Sequence, residues 1–207
     1  MKVYFVRHGE SEYNANQLFQ SKDVPLTKKG KKQAEFLSKR FFDVPIDIII
    51  SSPAERAKQT TEIISKKLKK KLVFSDLINE RRMPKESIGK YAYSKEIIKI
   101  KKLMRKNANN LSWHYSDEEN FTEFKNRIKK FFKYLNSRKE KNILIVSHGG
   151  PIRMTILFMM FGGDKFDPEI YYNFIELFRL TNTGITMCEK SKDGRWDLWA
   201  FNDHAHL

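Results

Sequence analysis

The sequence predicts an α/β fold, a three-layer α/β/α sandwich around a mostly parallel sheet with an antiparallel edge. Short apolar runs typical of buried strands alternate with longer segments of helical periodicity. This alternation is the pattern of a parallel sheet covered by helices on both faces. Towards the C-terminus, strand-like runs follow one another without helices, which is typical of antiparallel strands added at a sheet edge.

The first third of the chain predicts two strands and two helices. A buried strand over residues 3–6 is followed by a polar loop and by a helix with Thr27 as its N-cap. Residues 47–51 predict a second buried strand. The next helix is expected to start at Ser52-Pro53, because proline suits the first helical turn.

The middle of the chain predicts a short strand over residues 72–74 and then a less regular segment. Residues 76–115 lack clear periodicity apart from a basic helix near 94–106, and we expect them to form a cap-like insertion within a single domain spanning residues 1–207. A long amphipathic helix is predicted over residues 117–135.

The last third predicts one strand–helix unit and then the antiparallel edge. A buried strand is expected over residues 143–146 and a helix over 150–161. The three remaining apolar runs predict edge strands near residues 174–180, 185–188 and 196–201.

Composition limits the classes of protein to which the chain can belong. The apolar content of 40% and the 16 phenylalanines suffice for a buried core. The single cysteine, Cys188, excludes an intramolecular disulfide and a cysteine-rich zinc module. The longest apolar run, residues 156–161, is too short to span a bilayer, and the first residues show no signal-peptide pattern. We expect a cytoplasmic protein with no membrane partner.

The net charge of +15, from 40 Lys and Arg against 25 Asp and Glu, favours anionic partners of any kind. The lysines spread along the predicted helices, as on solvated helix faces. A nucleic-acid-binding module is an alternative, but it requires aromatic side chains among the basic ones on one surface. The only such hint is a group of four aromatics in the insertion, which we interpret as packing or pocket walls: Tyr91, Tyr93, Trp113 and Tyr115. A nucleic-acid partner is therefore not expected.

Two histidines occupy matching positions at opposite ends of the chain. His8 and His148 each follow a predicted buried strand, and each is followed at once by glycine. A single histidine in such a position is more often structural, so the evidence lies in the pairing and in the adjacent Arg7. Because ligands bind at the carboxyl ends of strands in open α/β sheets, the two histidines and Arg7 are expected to surround one small anion.

With its neighbouring motifs, this pair resembles the histidine phosphatase superfamily, also called the phosphoglycerate mutase-like family. The motifs that carry the resemblance occur in the family's order nearly from end to end: Arg7-His8-Gly9-Glu10-Ser11 with Asn14, Phe19-Gln20, Asp23-Val24-Pro25-Leu26-Thr27, Ser51-Ser52-Pro53 with Arg56-Ala57 and Thr60, Leu77-Ile78-Asn79-Glu80, Ser147-His148-Gly149-Gly150 and Asn202-Asp203. Three features depart from the family pattern. Ser21 stands where glycine is common, Glu118-Glu119-Asn120 replaces Gly-Glu-Ser, and the segment 82–89 is longer than the loop that follows the acid in many members.

The resemblance implies a phosphate pocket formed by Arg7, His8, Arg56 and His148. A neutral His8 imidazole can attack phosphorus and form a covalent phosphohistidine. The two arginines provide donors that match phosphate geometry, and neighbouring cations oppose protonation of His8. Each of these residues, taken alone, has an ordinary structural explanation.

Glu80 is the candidate general acid, because it matches the family's acidic position. It would protonate the leaving oxygen and then accept a proton from the attacking water. A surface ion pair with Arg81 or Arg82 is the alternative explanation, and Glu10 and Glu86 are the substitute acids.

The remaining candidate binding residues are Asn14, Gln20 and Gly149. The resemblance implies that Asn14 bonds the phosphate, and it suggests more weakly that Gln20 lines the wall. His204 and His206 have a spacing that can bind metal, but no supporting ligand follows from the sequence. The resemblance implies chemistry without a metal or another cofactor.

The sequence thus predicts a metal-independent, acid phosphatase-type phosphohydrolase that acts on a small-molecule phosphomonoester. A phosphoglycerate mutase with the same pocket is the alternative. The family's mutases have an arginine-paired, proline-rich insertion, whereas residues 76–115 carry only Arg81, Arg82 and Arg105 and no proline cluster. This difference favours hydrolysis, while the substrate and the oligomeric state stay open.

Overall fold

One six-stranded sheet forms the centre of the protein in the computed structural model, which describes residues 1–207. The strand order is β3-β2-β4-β1-β5-β6. The first four strands are parallel to one another, and β5 and β6 run antiparallel at one edge. The strands are β1 (Lys2–Arg7), β2 (Ile48–Ser51), β3 (Lys71–Phe74), β4 (Asn142–Ser147), β5 (Ile185–Lys190) and β6 (Trp196–Asp203).

Seven α-helices surround this sheet. They are α1 (Glu12–Ala15), α2 (Lys28–Arg40), α3 (Glu55–Leu68), α4 (Lys95–Lys106), α5 (Phe121–Asn136), α6 (Gly149–Met160) and α7 (Pro168–Leu177). Two short 3-10 turns, Asp76–Ile78 and Lys85–Ser87, precede α4. No helix is long and apolar enough to cross a membrane.

The core has two halves, one on each face of the sheet. Alternate side chains of the central strands point to opposite faces. Phe5 and Ile145 pack with α5, α6 and α7, whereas Val6 and Val146 pack with α2 and α3. The predicted three-layer sandwich, mostly parallel with an antiparallel edge, is therefore confirmed.

Two predicted helix starts and one predicted strand are wrong. Helix α3 begins at Glu55 rather than at Ser52-Pro53, because the Ser52 N–H still bonds the Val146 carbonyl and extends the sheet. Helix α5 begins only at Phe121, where Asn120 and Glu123 form a capping box. The expected strand near residues 174–180 lies mostly within helix α7, which Asp167 caps at Ile170 N–H.

The segment 76–115 lies against the loop that follows α1. Phe19 exchanges backbone hydrogen bonds with this segment: its N–H donates to the Lys90 carbonyl, and its carbonyl accepts from the Gly89 N–H. Apolar side chains of α4 form a small separate cluster with Phe19, Met83 and Trp113. The inserted segment is thus joined to the loop that leads into Gln20.

Candidate active site

The two histidines meet at the carboxyl ends of the neighbouring strands β1 and β4. Arg7 is in register with Ser147, and the His8 N–H donates to the Ser147 carbonyl at 3.0 Å. The imidazole rings of His8 and His148 have centroids 5.1 Å apart and are tilted by 60°. Parallel pairing of the two strands therefore brings together residues that are 140 positions apart in the chain.

The His8 ring is buried and held at both nitrogens. Its Nδ1 lies 2.7 Å from the Gly9 carbonyl, and Arg56 Nε donates to its Nε2 at 3.2 Å. A carbonyl only accepts and a guanidinium only donates, so the ring carries its proton on Nδ1 and a lone pair on Nε2. Burial, reinforced by Arg56 and Arg7, holds the pKa of His8 well below its usual range. The ring is therefore neutral near pH 7, with a nucleophilic nitrogen.

The two pocket arginines are anchored by backbone carbonyls and have no carboxylate partner. Arg7 Nη1 donates to the Leu180 carbonyl at 2.6 Å, and Arg56 Nη1 donates to the Ser21 carbonyl at 2.9 Å. Burial is the main cause that lowers the pKa of Arg56, to about 10, so the side chain stays cationic at neutral pH. Arg56 bonds the backbone carbonyl of Ser21, which every residue type provides. The contact therefore does not require the glycine that is common at this position in the family.

His148 is fully buried and held by a chain of polar side chains. Asn79 Nδ2 donates to Asp76 Oδ1 at 2.8 Å, which turns Asn79 Oδ1 towards Ser52. The Ser52 hydroxyl donates to Asn79 Oδ1 at 2.6 Å, and His148 Nε2 lies 2.8 Å from Ser52 Oγ. With the Ser52 proton used in this way, His148 Nε2 is the donor to Ser52.

The other ring nitrogen, Nδ1 of His148, is buried and has no partner within the protein. Burial is the main cause that holds the pKa of His148 well below its usual range, and Arg56 acts in the same direction. A bound anion would raise the pKa of His148 again, and a protonated Nδ1 would then donate a hydrogen bond to that anion.

Glu80 lies beside the start of α6. Its carboxylate accepts hydrogen bonds from the Gly150 N–H at 3.2 Å and from the Arg81 N–H at 3.0 Å. A side chain at position 150 would collide with Glu80 Oε1, so the second glycine after His148 leaves room for this carboxylate. Glu80 forms no ion pair with Arg81 or Arg82.

The loop that carries Glu80 is fixed by a largely buried ion pair between Arg127 and Glu119. Arg127 Nε and Nη2 bond the two carboxylate oxygens of Glu119 at 2.6 and 2.7 Å. Arg127 Nη1 also donates to the carbonyls of Leu77 and Asn79, at 2.8 and 2.9 Å. Glu119 keeps the glutamate of the family's Gly-Glu-Ser, and it acts on the Glu80 loop through Arg127.

The two substitute acids lie elsewhere. Glu10 accepts from Thr27 Oγ1 and pairs with Lys29 at the start of α2. Glu86 is exposed, and its carboxylate accepts from Ser116 Oγ. Of the three acidic residues, only Glu80 contacts the helix that begins after His148.

The weaker binding candidates lie around the same pocket. Asn182 Nδ2 donates both to the His8 carbonyl at 2.9 Å and to Asn14 Oδ1 at 3.1 Å, so Asn14 is tied to the strand end. Gln20 Oε1 accepts from Ser11 Oγ at 2.7 Å. Gly149 is the first residue of α6, where backbone N–H groups have no partner within the helix.

Sequence reasoning missed the residues that hold the site together. Ser52, Asn79 and Arg127 were assigned no role, because their partners are distant in sequence. Gly9 has a role that the motif alone does not reveal, because a Cβ at this position would lie 2.6 Å from the Gly30 carbonyl oxygen. Close approach of α2 is therefore what requires a glycine there. A motif signal existed for Ser52, in Ser51-Ser52-Pro53, and for Asn79, in Leu77-Ile78-Asn79-Glu80, but not for Arg127.

Comparison with known proteins shows which sequences the chain is similar to. The family model of the histidine phosphatase superfamily (branch 1) matches residues 3–204. The chain is 30% identical to the phosphatase PhoE of Bacillus subtilis over 207 residues, covering 99% of this chain and 96% of PhoE. It is 33% identical over 156 residues to a protein of Hydrogenobacter thermophilus named as a phosphoserine phosphatase, covering 75% and 76% of the two chains.

Solved structures share the same fold. A phosphoserine phosphatase of Entamoeba histolytica, in complex with phosphoserine, superimposes with a TM-score of 0.78 at 26% identity, covering 100% of this chain and 98% of that one. An α-ribazole-5'-P phosphatase structure from Escherichia coli gives a TM-score of 0.78 at 22% identity, covering 100% and 99%. The chain belongs to the histidine phosphatase superfamily.

Proposed function

We propose that the protein is a phosphomonoesterase that works through a covalent phosphohistidine on His8. The observation that carries this proposal is the state of His8, a buried neutral ring whose Nε2 lone pair lies beside Arg56. Nucleophilic attack on phosphorus needs such a lone pair and cations that neutralise the phosphoryl oxygens.

The reaction divides into two displacements at phosphorus. In the first, His8 Nε2 bonds to phosphorus while the ester P–O bond breaks, and Glu80 gives a proton to the leaving oxygen. In the second, Glu80 takes a proton from water, which attacks phosphorus and breaks the P–N bond. Arg7, Arg56 and His148 bind the phosphoryl oxygens in both steps, and no metal ion takes part.

Asn14, Gln20 and Gly149 complete the proposed binding pocket. Asn14 contacts the phosphate, and the Gly149 N–H donates to one of its oxygens, since anions bind well at a helix start. Gln20 lines the wall on the side of the inserted segment. The substrates named for the relatives differ, so the similarity alone does not choose among small phosphomonoesters.

The test is trapping of the phosphoenzyme. Wild-type protein is mixed with p-nitrophenyl phosphate and quenched rapidly in alkali, where phosphohistidine is stable. We expect acid-labile phosphate bound to the protein, and none in His8→Ala. His204→Ala, which removes an exposed histidine, should label like the wild type. Labelling of His8→Ala would refute the assignment of the nucleophile.

A mutase assay with 3-phosphoglycerate and a bisphosphate primer, run beside the hydrolysis assay, separates the two activities of this pocket. We expect release of inorganic phosphate to exceed isomerisation. A reversed ratio would favour the mutase alternative.

A further inference from the structure

Arg153 places a guanidinium beside the pocket, although it lies one turn inside α6. Helical side chains lean towards the helix start, and residues four apart share a face. Accordingly, Arg153 Nη2 lies 3.1 Å from the position that a Cβ of residue 149 would occupy. The absence of a side chain at Gly149 therefore lets this guanidinium reach the residue next to His148.

The Arg153 charge has no acidic partner in the protein. Its Nη1 donates to the Phe178 carbonyl at 3.3 Å, its Nε is buried without a partner, and its Nη2 has no acceptor. Arg81, in contrast, is engaged by the Glu119 carbonyl and the Tyr172 hydroxyl. A cation near a helix start is also opposed by the helix dipole. An anion bound there would relieve this unfavourable arrangement.

Arg153 lies on the Glu80 side of the pocket. Arg153 Nη2 lies beside the position that a Cβ of Gly149 would occupy, and the N–H of the next residue, Gly150, donates to Glu80. Burial raises the pKa of Tyr171 to about 12, and both Arg153 and Glu80 lie close enough to this phenol to influence it. A general acid has to face the leaving oxygen. If Glu80 protonates the leaving oxygen as proposed, Arg153 lies on the leaving-group side of the pocket.

We infer that Arg153 binds an oxyanion carried by the leaving group, so that the substrates are phosphomonoesters with a carboxylate or a second phosphate close to the ester oxygen. This inference rests on the proposed phosphatase function. Arg127 gives an example of how a guanidinium binds an oxyanion in this protein: its Nε and Nη2 donate to the two carboxylate oxygens of Glu119. In Arg153, Nη1 is the anchored donor and Nη2 is left for a ligand.

The experiment compares pairs of substrates that differ in whether the leaving group carries an oxyanion. In the first pair, D-3-phosphoglycerate is compared with glycerol 3-phosphate, in which a hydroxymethyl group replaces the carboxylate. In the second pair, propane-1,3-diyl bisphosphate is compared with 3-hydroxypropyl phosphate. The ratio of kcat/KM within each pair measures the preference for an anionic leaving group, and the pair with the larger ratio identifies the oxyanion.

The variants are Arg153→Gln and Arg153→Lys, with Arg179→Gln as the matched control that removes an exposed cation from the neighbouring segment. We expect wild type to prefer one anionic substrate and Arg153→Gln to lower that preference by about 10-fold to 100-fold, as on losing hydrogen bonds to a charged group. Arg153→Lys should restore part of the preference, and Arg179→Gln should retain it. Thermal denaturation checks that each variant is folded.

Two results would overturn the inference. If Arg153→Gln slows both members of each pair equally, Arg153 acts on the transferring phosphate instead. If the ratio in wild type is close to one and does not change, Arg153 binds no part of the substrate. Failure of wild type to hydrolyse all four esters and p-nitrophenyl phosphate would instead refute the proposed phosphatase function.

Discussion

Arg56 Nε donates a hydrogen bond of 3.2 Å to Nε2 of His8, the same nitrogen that we propose as the nucleophile. The contact keeps the His8 ring neutral, because a protonated Nε2 could not accept it. It also places a cation where an incoming phosphate would meet it first. Substrate binding then exchanges one acceptor of Arg56 for another, a phosphoryl oxygen for the ring nitrogen.

The first prediction concerns stability at low pH. Burial holds the pKa of His8 and of His148 below the ordinary value of 6.5, so the unfolded chain binds more protons than the folded chain as pH falls. The free energy of unfolding should therefore be highest above pH 6.5 and decrease below it, by at most about 1.4 kcal/mol per pH unit for each histidine.

Urea denaturation between pH 7.5 and 5.5, in a buffer without phosphate, measures this dependence. His8→Asn should show a shallower decrease than wild type, whereas His204→Asn, at an exposed position, should follow wild type. Equal slopes for wild type and His8→Asn would contradict the explanation.

The second prediction concerns the hydrogen-bond chain behind His148. Ser52→Ala removes the acceptor of His148 Nε2 and frees the ring to turn or to change its tautomer. We expect phosphoenzyme formation to slow about 10-fold or more, the size of a lost hydrogen bond that involves a charged group. Rapid-quench kinetics with p-nitrophenyl phosphate measures this rate.

Ser51→Ala is the matched control, because Ser51 is equally buried but bonds Thr61 and backbone carbonyls instead. Its phosphorylation rate should stay within about 3-fold of wild type. A similar slowing in both serine variants would mean that the effect is a general loss of packing.

The third prediction is that replacing a helical glycine by alanine lowers the stability of this protein, whereas helix propensity alone would raise it. Gly→Ala inside a helix usually stabilises a protein by up to about 1 kcal/mol. Gly30→Ala should instead destabilise by about 1–3 kcal/mol or more, because the new Cβ would collide with the Glu10 backbone. Chemical denaturation measures the change, with the exposed Lys31→Ala in the same helix as a control. If Gly30→Ala is more stable than wild type, helix α2 and the backbone at Glu10 can move apart to make room for the Cβ.

The contrast between His8 and Ser52 shows which parts of this site could be predicted from sequence. His8 and His148 follow strands, and parallel strands end at one edge of a sheet, so local patterns sufficed to bring them together. Ser52 bonds Asn79 and His148, which lie 27 and 96 residues away in the chain, and no local pattern encodes such partners. Arg153 carries no motif signal, because its proximity to the pocket depends on the direction of its side chain.

Helix α7 shows the same limit for the fold. Its aromatic residues favoured a strand by composition, whereas Asp167 and Pro168 form a helix start that precedes them. Packing of Tyr171 and Phe174 against the core then decides the conformation. Elements with clear periodicity, such as α5, were predicted to within a few residues, because their buried face is visible in the sequence.

The fourth prediction is that activity survives removal of divalent metal ions. Arg7, Arg56 and His148 supply the positive charge and donors that a metal ion would otherwise provide. Treatment with EDTA followed by an assay with p-nitrophenyl phosphate should leave the rate unchanged. A metal-dependent phosphatase treated in parallel serves as the positive control. Loss of activity that one divalent ion restores would indicate a metal-assisted mechanism.

The fifth prediction concerns Glu80 as the general acid. Glu80→Gln keeps the shape of the side chain but cannot donate the acidic proton. Phosphorylation by an alkyl phosphate, whose leaving oxygen needs protonation, should slow about 10²-fold or more. An aryl phosphate with an acidic phenol needs little protonation, so its phosphorylation step should slow much less.

The comparison requires pre-steady-state rates, because dephosphorylation loses its general base with either substrate. Glu86→Gln, at an exposed carboxylate, is the control and should leave both phosphorylation rates close to wild type. A purely structural effect, through the bond between Glu80 and the Gly150 N–H, would not depend on the leaving group. Equal slowing with alkyl and aryl esters would therefore remove Glu80 from the acid role. It would leave Glu80 as a residue that positions the start of α6 through the Gly150 N–H.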